Sequence, residues 1–322
     1  MSSFTSPAPR ASRALAVVLA LTLTLPLLPQ AAAPASGAVG AAGTPRIPAG
    51  TAASYVVFDR VTGRTTLAHK PHVRFRSASV VKILIALDYL ESRTTPVPRA
   101  DADLLRRMLR ASDDDAATAF WRRGGQGAII GRMTRRLGLA DTGPPPANRP
   151  GFWGYTALSA ADVVTTYRYL LERAKPKVRD VILGHLRNAS RCAADDFDQY
   201  FGIPGAVPRP WAVKQGWSGY GSRPAVPCSR TRPSAGTATT GGSATADRAA
   251  LAPASTGAAA AGGPRPPVNL SRPVLHTTGL VGEGDRLIIA VLTLQPAGAG
   301  YRSSATRLTA LAKDVYRAAL RR

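Results

Sequence analysis

A serine and a lysine three residues apart on one helical turn carry the first chemistry legible in this chain. Ser79-Val80-Val81-Lys82 opens an apolar run that continues Ile83-Leu84-Ile85-Ala86-Leu87, which reads as a buried helix with Ser79 as its N-cap. Residues at i and i+3 project from the same helical face, so the lysine amine is placed to reach the serine hydroxyl. A lysine whose charge is penalised by burial and by nearby cations becomes a neutral base, able to take the hydroxyl proton and make serine a nucleophile. The bland alternative is an N-cap followed by a snorkelling lysine.

Two later segments bear on the choice. Ser112-Asp113-Asp114-Asp115 is a polar turn opening into a helix that carries Phe120 and Trp121. Trp211-Ala212-Val213-Lys214-Gln215-Gly216-Trp217 is an apolar strand holding a lysine and a glycine. In order and spacing, the three segments resemble the serine β-lactamase and penicillin-binding-protein superfamily, particularly its class A-like members, in which Ser-x-x-Lys, Ser-Asp-Asn and Lys-Thr-Gly follow one another. The resemblance runs from about Ser54 to the C-terminus, apart from one insertion.

It implies that Ser79 is the nucleophile, Lys82 its base and Ser112 a proton relay to the leaving nitrogen. Lys214 would attract a substrate carboxylate, Gly216 would leave room for substrate, Asp114, Gln215 and Trp217 would line the substrate-binding side with them, and the backbone N–H groups of Ser79 and Trp217 would form an oxyanion hole. Asp114 and Gln215 depart from the pattern: the family has asparagine and threonine or serine there. A carboxylate at 114 is expected to pair with Lys82 and raise its pKa, weakening the base. The glutamate that activates the deacylating water in class A-like enzymes is also missing. The chain has only Glu91, Glu172 and Glu283, and the candidate loop 141–157 offers Asp141 alone. Two functions follow as expectations. One is an acyl-Ser79 enzyme that accepts β-lactams or peptidoglycan stem peptides and deacylates slowly. The other is a catalytically impaired relative that binds cell-wall material.

The elements that must position these residues are strands at both ends with helices between. Hairpin strands are read at 54–58 and 65–67, helices at 102–111, 114–123, 126–137, 159–174 and 176–188, strands at 211–217, 274–280 and 287–294, and a final helix over 304–320. Ser159-Ala160-Ala161-Asp162 reads as an acidic capping box. The fold class is α+β: an antiparallel sheet formed by N- and C-terminal strands and flanked by helices, plus an all-helical lobe. Residues 229–267 are Gly, Ala, Ser, Thr and Pro with few large apolar side chains, an expected disordered insertion in the domain 51–322.

Arg10 and Arg13 precede an apolar stretch that ends near Leu28 and is followed by small residues up to Ala35. This reads as a signal peptide over 1–35 with a flexible linker over 36–50. No cysteine lies nearby to take a lipid, so the expectation is a secreted, extracytoplasmic protein, neither membrane-spanning nor a lipoprotein. Cys192 and Cys228 are the two cysteines. In an oxidising compartment they are expected to form one disulfide, with two separate thiols as the other reading.

The formal net charge of +23 suits anionic cell-wall polymers in such a compartment, and the bland reading is a codon bias that favours arginine at exposed positions. No aromatic-interleaved basic motif of the nucleic-acid-binding type occurs, so no nucleic-acid partner is expected. Neither a Gly-x-Ser-x-Gly elbow nor a phosphate-binding glycine loop is present. His69 and His72 stand close together without a third ligand. No metal and no cofactor are expected, and the protein is expected to be a monomer.

Overall fold

The computed structural model describes residues 44–229 and 267–321, all within the compact unit Ala42–Arg322. The leader expected over 1–35, most of the linker, and all of the insertion except its end residues lie outside the described residues. The part of the linker that is described, 44–50, includes Ile47, which packs on the apolar cluster containing Leu308, Leu311 and Val315.

The elements in chain order are β1 (Ala52–Asp59), β2 (Arg64–His69), β3 (Phe75–Arg76), α1 (Lys82–Glu91), α2 (Arg99–Arg110), α3 (Asp114–Arg123), α4 (Gly127–Leu137), β4 (Ala157–Leu158), α5 (Ala160–Glu172), α6 (Pro176–Arg187), α7 (Ile203–Ala206), β5 (Trp211–Ser218), β6 (Val274–Val281), β7 (Leu287–Leu294) and α8 (Tyr301–Leu320). Five strands form one sheet in the order β2-β1-β7-β6-β5, and every pairing in it is antiparallel. β3 and β4 form a separate two-stranded ladder.

Strand periodicity explains the layers. Along β7, Ile288, Ala290 and Leu292 join the cluster built with α1 to α6, whereas Leu287, Ile289 and Val291 join the cluster built with Leu308, Leu311 and Val315 of α8. Both faces of the sheet are therefore buried, which is why β7 reads as an unbroken apolar run and not as an alternation. The helices α2 to α4 make the all-helical lobe, and α1 runs through its centre with Ile83, Leu84, Ile85, Ala86 and Leu87 all buried.

Two local expectations change. Ser79 is not an N-cap: residues Ala78–Val81 form a 3-10 turn that runs directly into α1, and no side chain caps either segment. Ser159 does cap α5, accepting from the Asp162 amide at 3.1 Å. Asp162, however, does not complete a capping box. Its carboxylate accepts from the Ala140, Asp141 and Thr142 amides at 3.0, 2.8 and 2.7 Å, and so it fastens the start of the 141–157 loop.

Candidate active site

The 3-10 turn carrying Ser79 is wedged between the edge strand β5 and the end of the 141–157 loop. A Cβ added at Gly216 would stand 3.0 Å from the Ser77 carbonyl oxygen and 3.3 Å from the Ser79 nitrogen. The absence of a side chain there lets the turn that carries Ser79 sit against the strand. On the other side, the Ser77 amide donates to the Thr156 carbonyl at 2.7 Å. Ala78 sits at φ 44° and Ser112 at φ 56°, left-handed conformations that cost a non-glycine residue free energy and that concentrate at functional sites.

Ser112 owes its freedom to its neighbour. Asp113 is the N-cap of α3, accepting from the Ala116 amide at 2.9 Å, and the Ser112 side chain is left to face the lysines. Lys214 Nζ donates to Ser112 Oγ at 2.8 Å, and Lys82 Nζ lies 3.3 Å from the same oxygen and 2.5 Å from the Ser112 carbonyl oxygen. Lys82 also pairs with Asp114 Oδ1 at 2.6 Å. Among the described residues, Ser79 Oγ makes no hydrogen bond. The Lys82 amine therefore rests on Ser112 and Asp114, one helical turn from the Ser79 hydroxyl.

Both lysines are buried, Lys82 with 0% and Lys214 with 1% of its surface exposed. Burial holds Lys82 below the ordinary lysine value, and the Asp114 carboxylate pulls in the opposite direction. The expected rise caused by Asp114 is thus present but smaller than the effect of burial. Lys214 is pushed well below its ordinary value by burial and then by the neighbouring Lys82 charge. Burial and mutual repulsion thus act together against both amines carrying a proton at once.

Gln215 is placed away from this chemistry. Its side-chain amide donates to the Gln199 and Phe201 carbonyls at 3.3 and 2.5 Å, and its oxygen accepts from Thr277 Oγ1 at 2.8 Å. With these polar atoms engaged in the fold, Gln215 joins β5 to the 199–201 segment and β6.

Two residues not anticipated complete the site. Trp153, from the 141–157 loop, lays its indole over Lys82, with Nζ 4.7 Å from the ring centroid, and is held by a hydrogen bond from its Nε1 to Thr118 Oγ1 at 3.1 Å. Asp195 accepts from the Trp217 indole at 3.0 Å through Oδ2, while its Oδ1 is buried without a partner. It lies within electrostatic reach of Lys82, Lys214 and Asp114. Burial, followed by the like charge of Asp114, raises its pKa, with the Trp217 hydrogen bond opposing. The turn bearing Asp195 is closed by the Cys192–Cys228 disulfide, whose Cα atoms lie 5.5 Å apart, as expected from the cysteine pair.

Asp141, the one acid in the loop, is spent elsewhere: its Oδ2 meets His72 Nδ1 and the Ser159 hydroxyl, each at 2.8 Å. His276, which has no motif around it, is a buried structural residue. Its Nε2 lies 2.9 Å from the Arg76 carbonyl and its Nδ1 accepts from the Thr293 amide at 3.1 Å. Among the described residues, no group of three or more His, Cys, Asp or Glu could hold a metal ion, and no helix is long and apolar enough to cross a membrane.

No family model matches the chain. Over 176 residues it is 37% identical to proteins named "Putative lipoprotein LppW" from Mycobacterium bovis and Mycobacterium tuberculosis. The match takes in 52% of this chain and 54% of those proteins, so the chain spans about half the length of the curated relatives it matches. These names overturn the expectation of a secreted protein that is not a lipoprotein. That expectation rested on the lack of a cysteine beside the small residues that follow Leu28, a stretch outside the described residues.

Among solved structures, PBP-A is similar with a TM-score of 0.54 and 14% identity, covering 84% of this chain and 91% of that one. PBP-A has also been solved as an acyl-enzyme complex with penicillin G. A class A β-lactamase from Mycobacterium abscessus aligns with a TM-score of 0.52 and 16% identity over 84% and 94% of the two chains. A β-lactamase from Sphaerobacter thermophilus aligns with 0.54 and 15% over 84% and 92%. The fold is that of the serine β-lactamases and penicillin-binding proteins.

Proposed function

We propose that the protein is an active-site-serine acyl-transfer enzyme that takes β-lactams or peptidoglycan stem peptides onto Ser79 and releases them slowly. The observation that carries the reading is the convergence of Lys82 and Lys214 on the Ser112 hydroxyl, at 3.3 and 2.8 Å, one helical turn from Ser79. Burial lowers the Lys82 pKa, so its amine can take the Ser79 proton as Oγ attacks the carbonyl carbon. When the carbon–nitrogen bond breaks, Ser112 hands a proton to the leaving nitrogen and is reprotonated from the lysine pair.

Slow release follows from what faces the base. Asp141 is engaged by His72 and Ser159, and the loop presents the Trp153 indole, not a carboxylate, to Lys82. Water near the ester would find no loop acid to activate it. Rapid mixing with a chromogenic β-lactam tests this directly. A burst of one acyl group per site followed by a slow steady state supports the reading, and free turnover without an accumulating intermediate contradicts it.

A second reading, a catalytically impaired protein that binds cell-wall material, is favoured by the Lys82–Asp114 pair, which holds the amine on groups other than Ser79. It predicts reversible binding of peptidoglycan fragments and no covalent adduct.

A further inference from the structure

Asp114 stands where the resembling family places an amide that donates to a carbonyl on the acyl donor. A carboxylate has no proton to donate; it can only accept. A donor carrying an acylated amine would turn its carbonyl oxygen toward that carboxylate and lose the hydrogen bond. A donor with a free amine would present N–H groups, or a full ammonium charge, to it.

The surroundings agree with a cationic or N–H-rich guest. Asp114 keeps 66% of its side chain exposed, so it is open to what enters the cleft, and its single protein contact uses Oδ1. Among the described residues, Oδ2 has no hydrogen-bond partner. Asp195, held by the Trp217 indole, supplies a second carboxylate within electrostatic reach of Asp114 and both lysines. Two carboxylates thus lie beside two lysines whose burial penalises carrying both charges at once, and the exposed Asp114 Oδ2 is left for what enters the cleft.

We propose that Asp114 is a specificity residue that selects acyl donors bearing a free amine next to the scissile carbonyl, such as aminoacyl amides and peptides with an unblocked N-terminal residue, over donors whose amine is acylated. The proposal rests on the reading of Ser79 as nucleophile and ranks its donors: stem peptides and penicillin G, whose amine beside the scissile carbonyl is acylated, are the slower ones. With an aminoacyl anilide, Ser79 Oγ bonds to the carbonyl carbon as the bond to the aniline nitrogen breaks. The serine proton passes to Lys82, Ser112 returns one to the aniline, and water then cleaves the ester to give the free amino acid and restore the serine hydroxyl.

The test compares alanine p-nitroanilide with N-acetylalanine p-nitroanilide, each in both configurations, using the wild-type protein and Asp114→Asn. Covalent labelling of Ser79 by penicillin G is followed in parallel. The wild type should favour the free amine in kcat/KM by about tenfold or more, the scale of a hydrogen bond to a charged group, and Asp114→Asn should erase or reverse that ratio. Since the ratio is taken within each protein, it is independent of the active fraction. Equal use of both anilides, preference for the acetylated one, or a ratio that Asp114→Asn leaves unchanged would overturn the proposal. Labelling of Ser79 with neither anilide cleaved would also overturn it while leaving the nucleophile assignment standing. No labelling and no cleavage would remove the serine reading itself.

Discussion

The Trp153 indole lies over Lys82 with the amine 4.7 Å from the ring centroid, and it comes from the loop in which class A-like enzymes carry an acid. The loop therefore contributes to the desolvation that lowers the lysine pKa, and supplies no base for water. Trp153→Ala should admit solvent and let Lys82 titrate closer to its ordinary value. The base limb of the acylation rate should then move to higher pH. Rate constants for β-lactam acylation measured across pH would detect the shift; an unmoved limb would remove Trp153 from the account.

Asp114→Asn should act in the opposite direction. Burial lowers the Lys82 pKa and the Asp114 charge partly restores it, so removing the charge leaves burial less opposed. The base limb should move to lower pH and acylation at neutral pH should speed up. The acyl-enzyme lifetime should stay long, because neither change supplies a deacylating acid. The two variants shift one limb in opposite senses, which a general loss of structure would not do.

These two residues also mark how far the sequence could be read. Ser79, Lys82, Ser112 and Lys214 were legible because their pattern is local, and α3 was read with the boundaries the structure gives because Asp113 and the following apolar stripe announce it. Trp153 and Asp195 were not legible. Their roles depend on loops meeting Lys82 from about 70 to 110 positions away, a contact that tertiary packing decides and periodicity does not. The part Gln215 plays in the fold was not legible for a related reason. The side-chain direction in β5 is fixed by pairing with Thr277 and by the 199–201 carbonyls, none of which is visible from the motif. The two-residue strands β3 and β4 are too short to show any period.

His276 should give the fold a pH dependence of its own. Burial pushes it down to about 4 from 6.5, with the Arg76 charge contributing, whereas the unfolded chain protonates near the ordinary value. Between those two values the unfolded state holds more protons, so stability is whole above the upper value and drains as pH falls toward the lower one. The full effect is on the order of 3 kcal/mol. His185, also lowered to about 4, drains over the same window. The readout is therefore the difference in melting-temperature slope between wild type and His276→Gln from pH 7 to 4, with the variant expected to be the flatter.

The disulfide closes a loop of 36 residues around the turn that holds Asp195 against Trp217. Loop-closure entropy predicts that the double variant Cys192→Ser, Cys228→Ser loses about 3–4 kcal/mol. Urea unfolding would measure it, and a loss below about 1 kcal/mol would mean that the turn is held by its hydrogen bonds and aromatic contacts alone.

The most direct measurement is the mass of the intact protein after long incubation with penicillin G, made on the wild type and on Ser79→Ala. The account predicts one covalent penicilloyl group on the wild type, located to the peptide containing Ser79, and none on the variant. An adduct that survives Ser79→Ala, or a wild-type protein that remains unmodified, would contradict it.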